Sequence, residues 1–525
     1  MNQSTLFFLA LPIFGILLRA FYNVFLHPLR NYPGPLLCRA TFLKWMLVQC
    51  QGKSSNYLQA MHKKYGHVVR IEPNVLSFIY GQAWQDIYGH KIGHRTGTAA
   101  GEKARGNLPK SSYSVRTNSN GYADIINAPT EADHRRMRRL MNHMFSASAI
   151  AGQQPIIRGY VDILIAKLHA KAALGEQVDL VMWYNYATFD ILGQLAFGQD
   201  FGCLQDGEFH PWVSNIFGSL KDSFLERTLG RFPWPLNKIT YYLWVPRDLT
   251  KARRNEFDFA TFRAKERMAQ GITIEKHDFM SYMLKYNDEE GMSEGELVSN
   301  SSILIIAGSE TTATYLSGIT YHLMLNPRVM KKLSHLVRST FASEDNITSN
   351  SVAELEYLTA VLKEGGRTYP PVPSGLPRVT IKGGSFIAGQ LVPEGTAVYV
   401  HPMSANLSPM NFADPLEFVP ERWLKDPPAK YANDNLEATQ PFSVGPKSCI
   451  GRNLAMAEMR LILARMVWNF DLELCDGSRD WKESQLIFNV WEKKPLRVKV
   501  TSRWGTEQKR KSRDGRAVLG QTPPL

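Results

Sequence analysis

Pro441-Phe442-Ser443-Val444-Gly445-Pro446-Lys447-Ser448-Cys449-Ile450-Gly451-Arg452-Asn453-Leu454-Ala455 is the stretch on which the reading of this chain turns. Its prolines and glycines make a loop, and a helical pattern follows. Met459, Ile462, Leu463, Met466 and Phe470 recur at the spacing of one apolar helix face. Cys449 therefore sits just ahead of a helix N-terminus. Backbone N–H groups and the helix dipole favour negative charge there, so a lowered thiol pKa is expected. Gly445 and Gly451 lack a Cβ, which lets backbone approach something flat and bulky. Phe442 is placed to shield the sulfur. The loop by itself also suits a buried structural cysteine. A zinc site would need a second Cys or His two to four residues away, and there is none. A nucleophilic cysteine would need a paired His, and none is suggested.

The chain has 525 residues, 44% of them hydrophobic, enough for a large core. There is no internal repeat and no Gly/Ser linker, so the body reads as one continuous, mostly helical unit. Cys38, Cys50, Cys203, Cys449 and Cys475 are an odd, sparse set. They are not a disulfide framework and fit a reducing compartment. The formal net charge of +13 suits nucleic acid, an anionic membrane or an acidic partner. No zinc-finger spacing, aromatic–basic ribbon or helix-turn-helix pattern supports the first.

Residues 6–26 read LFFLALPIFGILLRAFYNVFL, a run of 21 residues. That is about enough to cross a ~30 Å hydrocarbon layer as a helix. Arg19 and Asn23 interrupt it only towards its C-terminal end, where Arg19 can snorkel to the headgroups. No Lys or Arg precedes the run, while His27, Arg30 and Arg39 follow it. A cleaved signal peptide wants the reverse order of charge. The positive-inside rule places the remainder in the cytosol. An uncleaved anchor is expected. Tyr32-Pro33-Gly34-Pro35 then stops the helix and makes a stiff hinge.

The longest helical pattern covers residues 293–325, opened by a capping box of Ser293 and Glu296 and closed by Asn326-Pro327. Mid-way, Ala307-Gly308-Ser309-Glu310-Thr311-Thr312 interrupts an apolar run. Hydroxyls can bond back to the preceding turn and open it, leaving space for a small molecule. A polar patch at a packing kink is the plainer alternative. Glu364-Gly-Gly-Arg367 places a carboxylate and a guanidinium on one helix face before Pro370-Pro371. Pro420-Glu421-Arg422-Trp423 lies further on. Asp133-His134 opens a basic helix with Arg138 and Arg139, ending at Met144-Phe145-Ser146.

Phe442-x-x-Gly445-x-Lys447-x-Cys449-x-Gly451 resembles the heme-binding signature of the cytochromes P-450. That signature usually has Arg or His where this chain has Lys447; a lysine still neutralises a propionate, without Arg's planar fork. The other motifs follow in family order, and the resemblance covers about residues 6–500. It implies a mainly α fold with small β-sheets. It divides the chain into an anchor at 1–27, a proline-rich hinge at 28–40, a heme-thiolate catalytic domain at 41–500 and a basic tail at 501–525. The tail reads as disordered.

The resemblance further implies heme b, with Cys449 as the axial iron ligand. Thr311 would hold dioxygen and a proton-delivering water, and Glu310 would connect that site to solvent. Glu364, Arg367 and Arg422 would form a buried ion cluster. His134, Arg138, Arg378 and Lys447 would meet the propionates, with Phe442, Gly445 and Gly451 shaping the cysteine loop.

The expected activity is monooxygenation, a hydroxylation or epoxidation, of a lipophilic small molecule. Its pocket would be drawn from the loop around residues 100–125 and from residues 303–307, 372–376 and 486–488. Aromatics at 209–245, including Phe224, Phe232, Trp234, Tyr241, Tyr242 and Trp244, fit a membrane interface. Arg135, Arg136, Lys447, Arg452 and Arg460 would face an acidic NADPH–cytochrome P-450 reductase, with cytochrome b5 as an accessory donor. The chain is similar in style to fungal microsomal members of the isotrichodermin hydroxylase type. That points to a terpenoid, polyketide or alkaloid substrate and to the endoplasmic reticulum membrane, single-pass, with the body in the cytosol. A member running rearrangement or peroxide chemistry, and a non-enzymatic heme sensor, are the alternatives; neither needs Glu310 and Thr311.

Overall fold

The structure, a computed structural model, describes residues 3–90, 107–111, 120–271 and 277–504. Most of the loop expected around residues 100–125, and residues 505–525 of the expected tail, lie outside that set. Helix α1 (Gln3–Phe21) runs into a π-helical turn, Tyr22–Leu26. The apolar run is thus divided, and among the described residues no helix is long and apolar enough to cross a membrane. The hinge that follows is held by Arg70. Its guanidinium donates to the carbonyls of Asn23 (2.8 Å) and Leu29 (3.3 Å), and its backbone N–H donates to Pro33 O (2.7 Å).

Short helices α2 (Leu36–Ala40), α3 (Leu43–Cys50) and α4 (Ser54–Tyr65) lead to the hairpin β1 (Val68–Glu72), β2 (Val75–Phe78) and then α5 (Gly81–Tyr88). The helical body comprises α6 (Glu131–Met141), α7 (Ala147–Ala173), α8 (Leu180–Phe197), α9 (Cys203–Asp206), α10 (Pro211–Leu229), α11 (Leu236–Trp244), α12 (Arg247–Ala269) and α13 (Phe279–Lys285). It continues with α14 (Glu294–Leu325), α15 (Pro327–Thr340), α16 (Ser349–Ala353) and α17 (Glu356–Thr368). Strands β4 (Arg378–Val379), β5 (Ser385–Ile387), β6 (Gln390–Val392) and β7 (Ala397–Val400) precede α18 (Pro402–Asn406). After the cysteine loop come α19 (Arg452–Asn469), β8 (Phe470–Leu474), the hairpin β9 (Leu486–Phe488) and β10 (Val490–Glu492), and β11 (Arg497–Ser502). Strand β3 (Gln177–Asp179) joins β11 and β8 in a three-stranded sheet, and the largest sheet has the order β1-β2-β7-β4.

Helix α14 is the axis of the body. Its capping box forms as the sequence predicts: the Ser293 hydroxyl accepts the Glu296 N–H, and the Glu296 carboxylate accepts the Ser293 N–H. Nearly every residue from Leu297 to Leu323 is buried, so its polar groups need internal partners. Ser309 Oγ donates to Thr188 O (3.0 Å) and Thr188 Oγ1 to Ser309 O (3.1 Å), which clasps α14 to α8. Gly308 makes that approach possible, because a Cβ there would come within 3.0 Å of Leu192.

Two expectations shift. The apolar face after the cysteine ends at Asn469; Phe470 belongs to β8, paired with Ser502. The tail therefore starts later than residue 501. Thr501 and Ser502 complete a ladder that buries Phe470, and Trp504 packs on Trp468 at 6.1 Å. A polar composition misread strand residues whose backbone is paired.

Candidate active site

The cysteine loop is shaped by backbone constraints. Gly445 has φ +75°, and a Cβ there would meet the Tyr88 carbonyl oxygen at 2.0 Å. Its freedom serves close packing against the end of α5 rather than against a flat ligand. Gly451 is the opposite case, with only Phe145 near its missing Cβ, at 3.7 Å. The Cys449 N–H donates to Phe442 O (2.8 Å), closing the loop, and α19 begins three residues after the sulfur. Phe442 stacks on Tyr315 of α14, 6.3 Å between centroids.

Helix position pulls the thiol pKa down, but by less than burial raises it. Burial pushes Cys449 up, outweighing the Gly451 and Arg452 N–H groups and the Arg138 and Arg452 charges. Yet Cys449 is the one residue of its loop that counts as exposed. Both are true because the sulfur lies deep in the protein and opens on an internal cavity of about 580 Å³.

One rim of that cavity is strongly cationic. Lys110, His134, Arg138, Arg378 and Lys447 all line it. Arg138 Nη1 donates to Ser448 O (2.5 Å), tying α6 to the cysteine loop. Lys447 pairs with Glu131 at 2.7 Å. Arg378 lies over the Tyr88 ring, 5.6 Å from its centroid, and its buried Nη1 has no hydrogen-bond partner among the described residues. Crowded positive charge shows in the neighbours. His134 is pushed down to about 4 by burial and then by Lys110 and Lys447. Lys110 is pushed down to about 8 by burial and then by Lys447 and Arg378. Two carboxylates placed here would relieve this repulsion and satisfy the orphaned guanidinium. A flat dicarboxylate whose metal faces Cys449 fits this site. Among the described residues no group of three or more His, Cys, Asp or Glu could hold a metal by itself.

Thr311 of α14 also lines the cavity, its hydroxyl donating back to Ala307 O (2.7 Å). Glu310 does not line it. Successive helix residues point about 100° apart, and Glu310 turns to the other side, against the segment after β10. There its Oε1 accepts from Lys493 and from Thr314 Oγ1 (3.2 Å), and Lys493 Nζ also donates to Thr314 Oγ1 (2.7 Å). Its Oε2 is buried without a partner. Glu310 is thus buried and faces Lys493 and Thr314 rather than the cavity.

The cavity walls near Thr311 are apolar: Ile303, Leu304, Ala307, Val372 and Leu376. Residues 486–488 do not reach it. Leu486 and Phe488 pack with Phe224 and Met46, and Asn489 at the hairpin tip, φ +72°, lines the cavity instead. An arginine–glutamate pair, Arg231 with Glu72, also lines it, on the side of α10 and β1.

Beneath the site lies a fully buried ion cluster. Arg367 grips Glu364 through Nε (2.9 Å) and Nη2 (2.7 Å), and Arg422 Nε reaches the same carboxylate at 3.3 Å. Val419 N–H (2.8 Å) and Trp423 Nε1 (2.8 Å) complete its acceptor sites. Arg367 also donates to the carbonyls of Asn406, Pro415 and Glu417. The sequence reading missed Asp434, which pairs with Arg422. It missed Lys110 too, which no spacing marks: only the bridge Lys110↔Arg378 brings it to the rim.

Comparison with known proteins agrees with this geometry. The sequence profile of the cytochrome P-450 family matches residues 33–500. The cytochrome P-450 monooxygenase aclL of Aspergillus oryzae is 42% identical over 487 residues, covering 92% of this chain and 96% of that protein. The trichothecene C-15 hydroxylase of Fusarium sporotrichioides is 42% identical over 489 residues, covering 92% and 95%. The trichothecene C-4 hydroxylase of Trichoderma arundinaceum is 40% identical over 501 residues, covering 94% and 96%. With a thiol facing a cation-rimmed cavity and a family match across nearly its whole length, this chain belongs to the cytochrome P-450 family of heme monooxygenases.

Proposed function

We propose that this enzyme hydroxylates or epoxidises a lipophilic secondary metabolite of the terpenoid, polyketide or alkaloid kind, using dioxygen and electrons passed from NADPH by a reductase. The observation that carries this reading is the shared cavity: Cys449 opens on it, the cationic rim bounds one side, and Thr311 faces it among apolar walls. Two similar proteins are named as hydroxylases of trichothecenes, which supports a secondary metabolite as the substrate.

Heme bound here supplies a thiolate-ligated iron at which dioxygen is reduced. Cys449 would be its ligand, bound as the thiolate. Arg378, with its spare N–H, and Arg138, Lys110, His134 and Lys447 would hold the propionates. Lys447, paired to Glu131, would contribute as a charge rather than a fork. The apolar walls exclude water and orient the carbon to be oxidised. Thr311 releases its bond to Ala307 O to hold a water and pass a proton. Glu310 serves as the next donor only after leaving Lys493.

On the surface, Arg135 and Arg452 are exposed near the cysteine side, and they would steer an acidic reductase. Arg136 is occupied by Glu296 at 2.6 Å and Arg460 by Thr359 at 3.2 Å, so they contribute less. The apolar N-terminal run would anchor the chain in the endoplasmic reticulum with the body in the cytosol. The exposed side chains of α11 and its approach would rest on the same membrane, among them Trp234, Tyr242 and Leu243.

The test is spectroscopic and chemical. The reduced, carbon monoxide-treated enzyme should show the band of a thiolate-ligated heme, and Cys449→His should lose it while holding heme. Co-expression with a reductase and untargeted metabolite profiling should then reveal a product one oxygen heavier, or two hydrogens lighter after further oxidation. Full heme without that band in the wild type would overturn the ligand assignment.

A further inference from the structure

The hairpin β9–β10 touches two parts of the site at once. Its tip, Asn489, lines the cavity, and Lys493, one residue beyond β10, holds Glu310. Trp491 between them donates to Pro370 O (2.8 Å) and stacks on Tyr369 at 4.3 Å, which ties the hairpin to the loop that carries Val372. The Glu310–Lys493 pair is buried on both sides, with 3% and 4% of the side chains exposed. Lys493 is the only charged partner that Glu310 has among the described residues, and Glu310 Oε2 is left unpaired. A buried pair of this kind stands near balance between desolvation and attraction. Separating the two would leave a buried carboxylate without its cation, so opening the pair has to draw on binding free energy from the cavity.

We propose that Lys493 is a positioning residue that couples proton delivery to occupancy of the cavity. Lys493 holds Glu310 turned away from the cavity. A molecule that displaces Asn489 draws the hairpin and Lys493 off the carboxylate. The freed Glu310 takes a proton from hydronium of the bulk solvent, leaving water, and gives it to the Thr311 hydroxyl. Thr311 passes its own proton into the cavity, and the carboxylate is restored for the next cycle. This rests on the proton-delivery reading of Glu310 and Thr311 above, and it adds the residue that controls it.

The test uses the full-chain holoenzyme with a reductase and no substrate. It reads the share of NADPH electrons that leave as hydrogen peroxide, alongside amide exchange of residues 486–493. In Lys493→Met the freed carboxylate should at least halve the peroxide share. Lys493→Arg should restore the wild-type share. The double variant Glu310→Gln/Lys493→Met should match Glu310→Gln, whose share stays at the wild-type level because Lys493 already holds the carboxylate off. Hairpin exchange should speed up in Lys493→Met and in Glu310→Gln, with no further gain in the double variant. A peroxide share that stays level or rises in Lys493→Met, or additive exchange effects, overturns the coupling. A halved share that persists in the double variant overturns the relay reading instead, and the exchange measurement then still reports whether the tether exists.

Discussion

Thr311 and Glu310 are neighbours in the chain, and one helical step puts only the first on the cavity. The alternation of apolar and polar residues on α14 revealed an interrupted helix, but not which side each residue would meet. That required α8 and the hairpin to be in place. Thr311→Ala should retain heme, because the hydroxyl bonds only its own helix. It should raise the peroxide share several-fold with a bound substrate; unchanged coupling would remove Thr311 from proton delivery. The rim is divided in the same way. Cys449 and Arg138 sit in motifs with fixed spacing and could be read directly. Lys110 arrives from a distant loop with no local signal. Arg378→Ala and Lys110→Ala should each speed heme transfer to apomyoglobin by about tenfold or more. A charge-assisted hydrogen bond is worth roughly 1.5–3 kcal/mol. Transfer at the wild-type rate would show that the residue does not hold a propionate.

Elements are pinned to one another by buried charge more than the sequence could indicate. Glu364 and Arg367 were legible as an i, i+3 pair on α17, whereas Arg422 needs the loop after α18 to fold back 58 residues away. Arg367→Ala would leave Glu364 buried beside one remaining arginine and strip three carbonyls of their donor. A loss of about 3–5 kcal/mol is expected, read as a lowered unfolding midpoint with heme loss at the same temperature. Glu256 is a second case, with no sequence signal at all. It lies on α12 facing α10 and α14, where Ser302 Oγ (3.0 Å) and Ser219 Oγ (3.5 Å) donate to it and Arg253 is near. Burial pushes it from 4.5 up to about 7. The folded state therefore holds a proton that the unfolded state releases above pH 4.5. Stability should fall as pH rises from about 4.5 to about 7 and level off beyond, by about 3 kcal/mol at most. Glu458, also buried and pushed up to about 8, adds a parallel slope, so the contrast between wild type and Glu256→Gln isolates the first group. The variant should gain melting temperature at pH 7.5 and little at pH 5. Equal gains at both would mean that Glu256 is ionised in the fold.

At the scale of the whole molecule, the chain shows a body whose core was foreseeable and a periphery that was not. Helix periodicity and the capping box set out α14, because burial on all sides leaves an apolar run with its own punctuation. The aromatics of 209–245 looked alike in sequence but divide in space. Phe224 is buried, and Tyr241 is bonded to Asp222 at 2.6 Å. Trp234, Tyr242 and Leu243 are exposed by 81%, 66% and 71%. Leu36, Leu37, Leu43 and Leu47 are exposed too, in the segment after the apolar N-terminal run. Large apolar side chains left in water in this number mark an interaction surface, and the N-terminal run argues for lipid as its partner. The two contributions separate in a flotation experiment. The full chain should stay with membranes after a high-pH carbonate wash. A chain lacking residues 1–27 should be released by that wash but still float with neutral-pH phospholipid vesicles. Adding Leu243→Ser and Trp244→Ser to the shortened chain should cut vesicle binding tenfold or more. Each buried side chain of that size is worth about 1.5–3 kcal/mol, and ~1.4 kcal/mol is a factor of ten. Release of the full chain by carbonate would rule out a spanning anchor. A shortened chain that never floats would show that α11 faces something other than lipid.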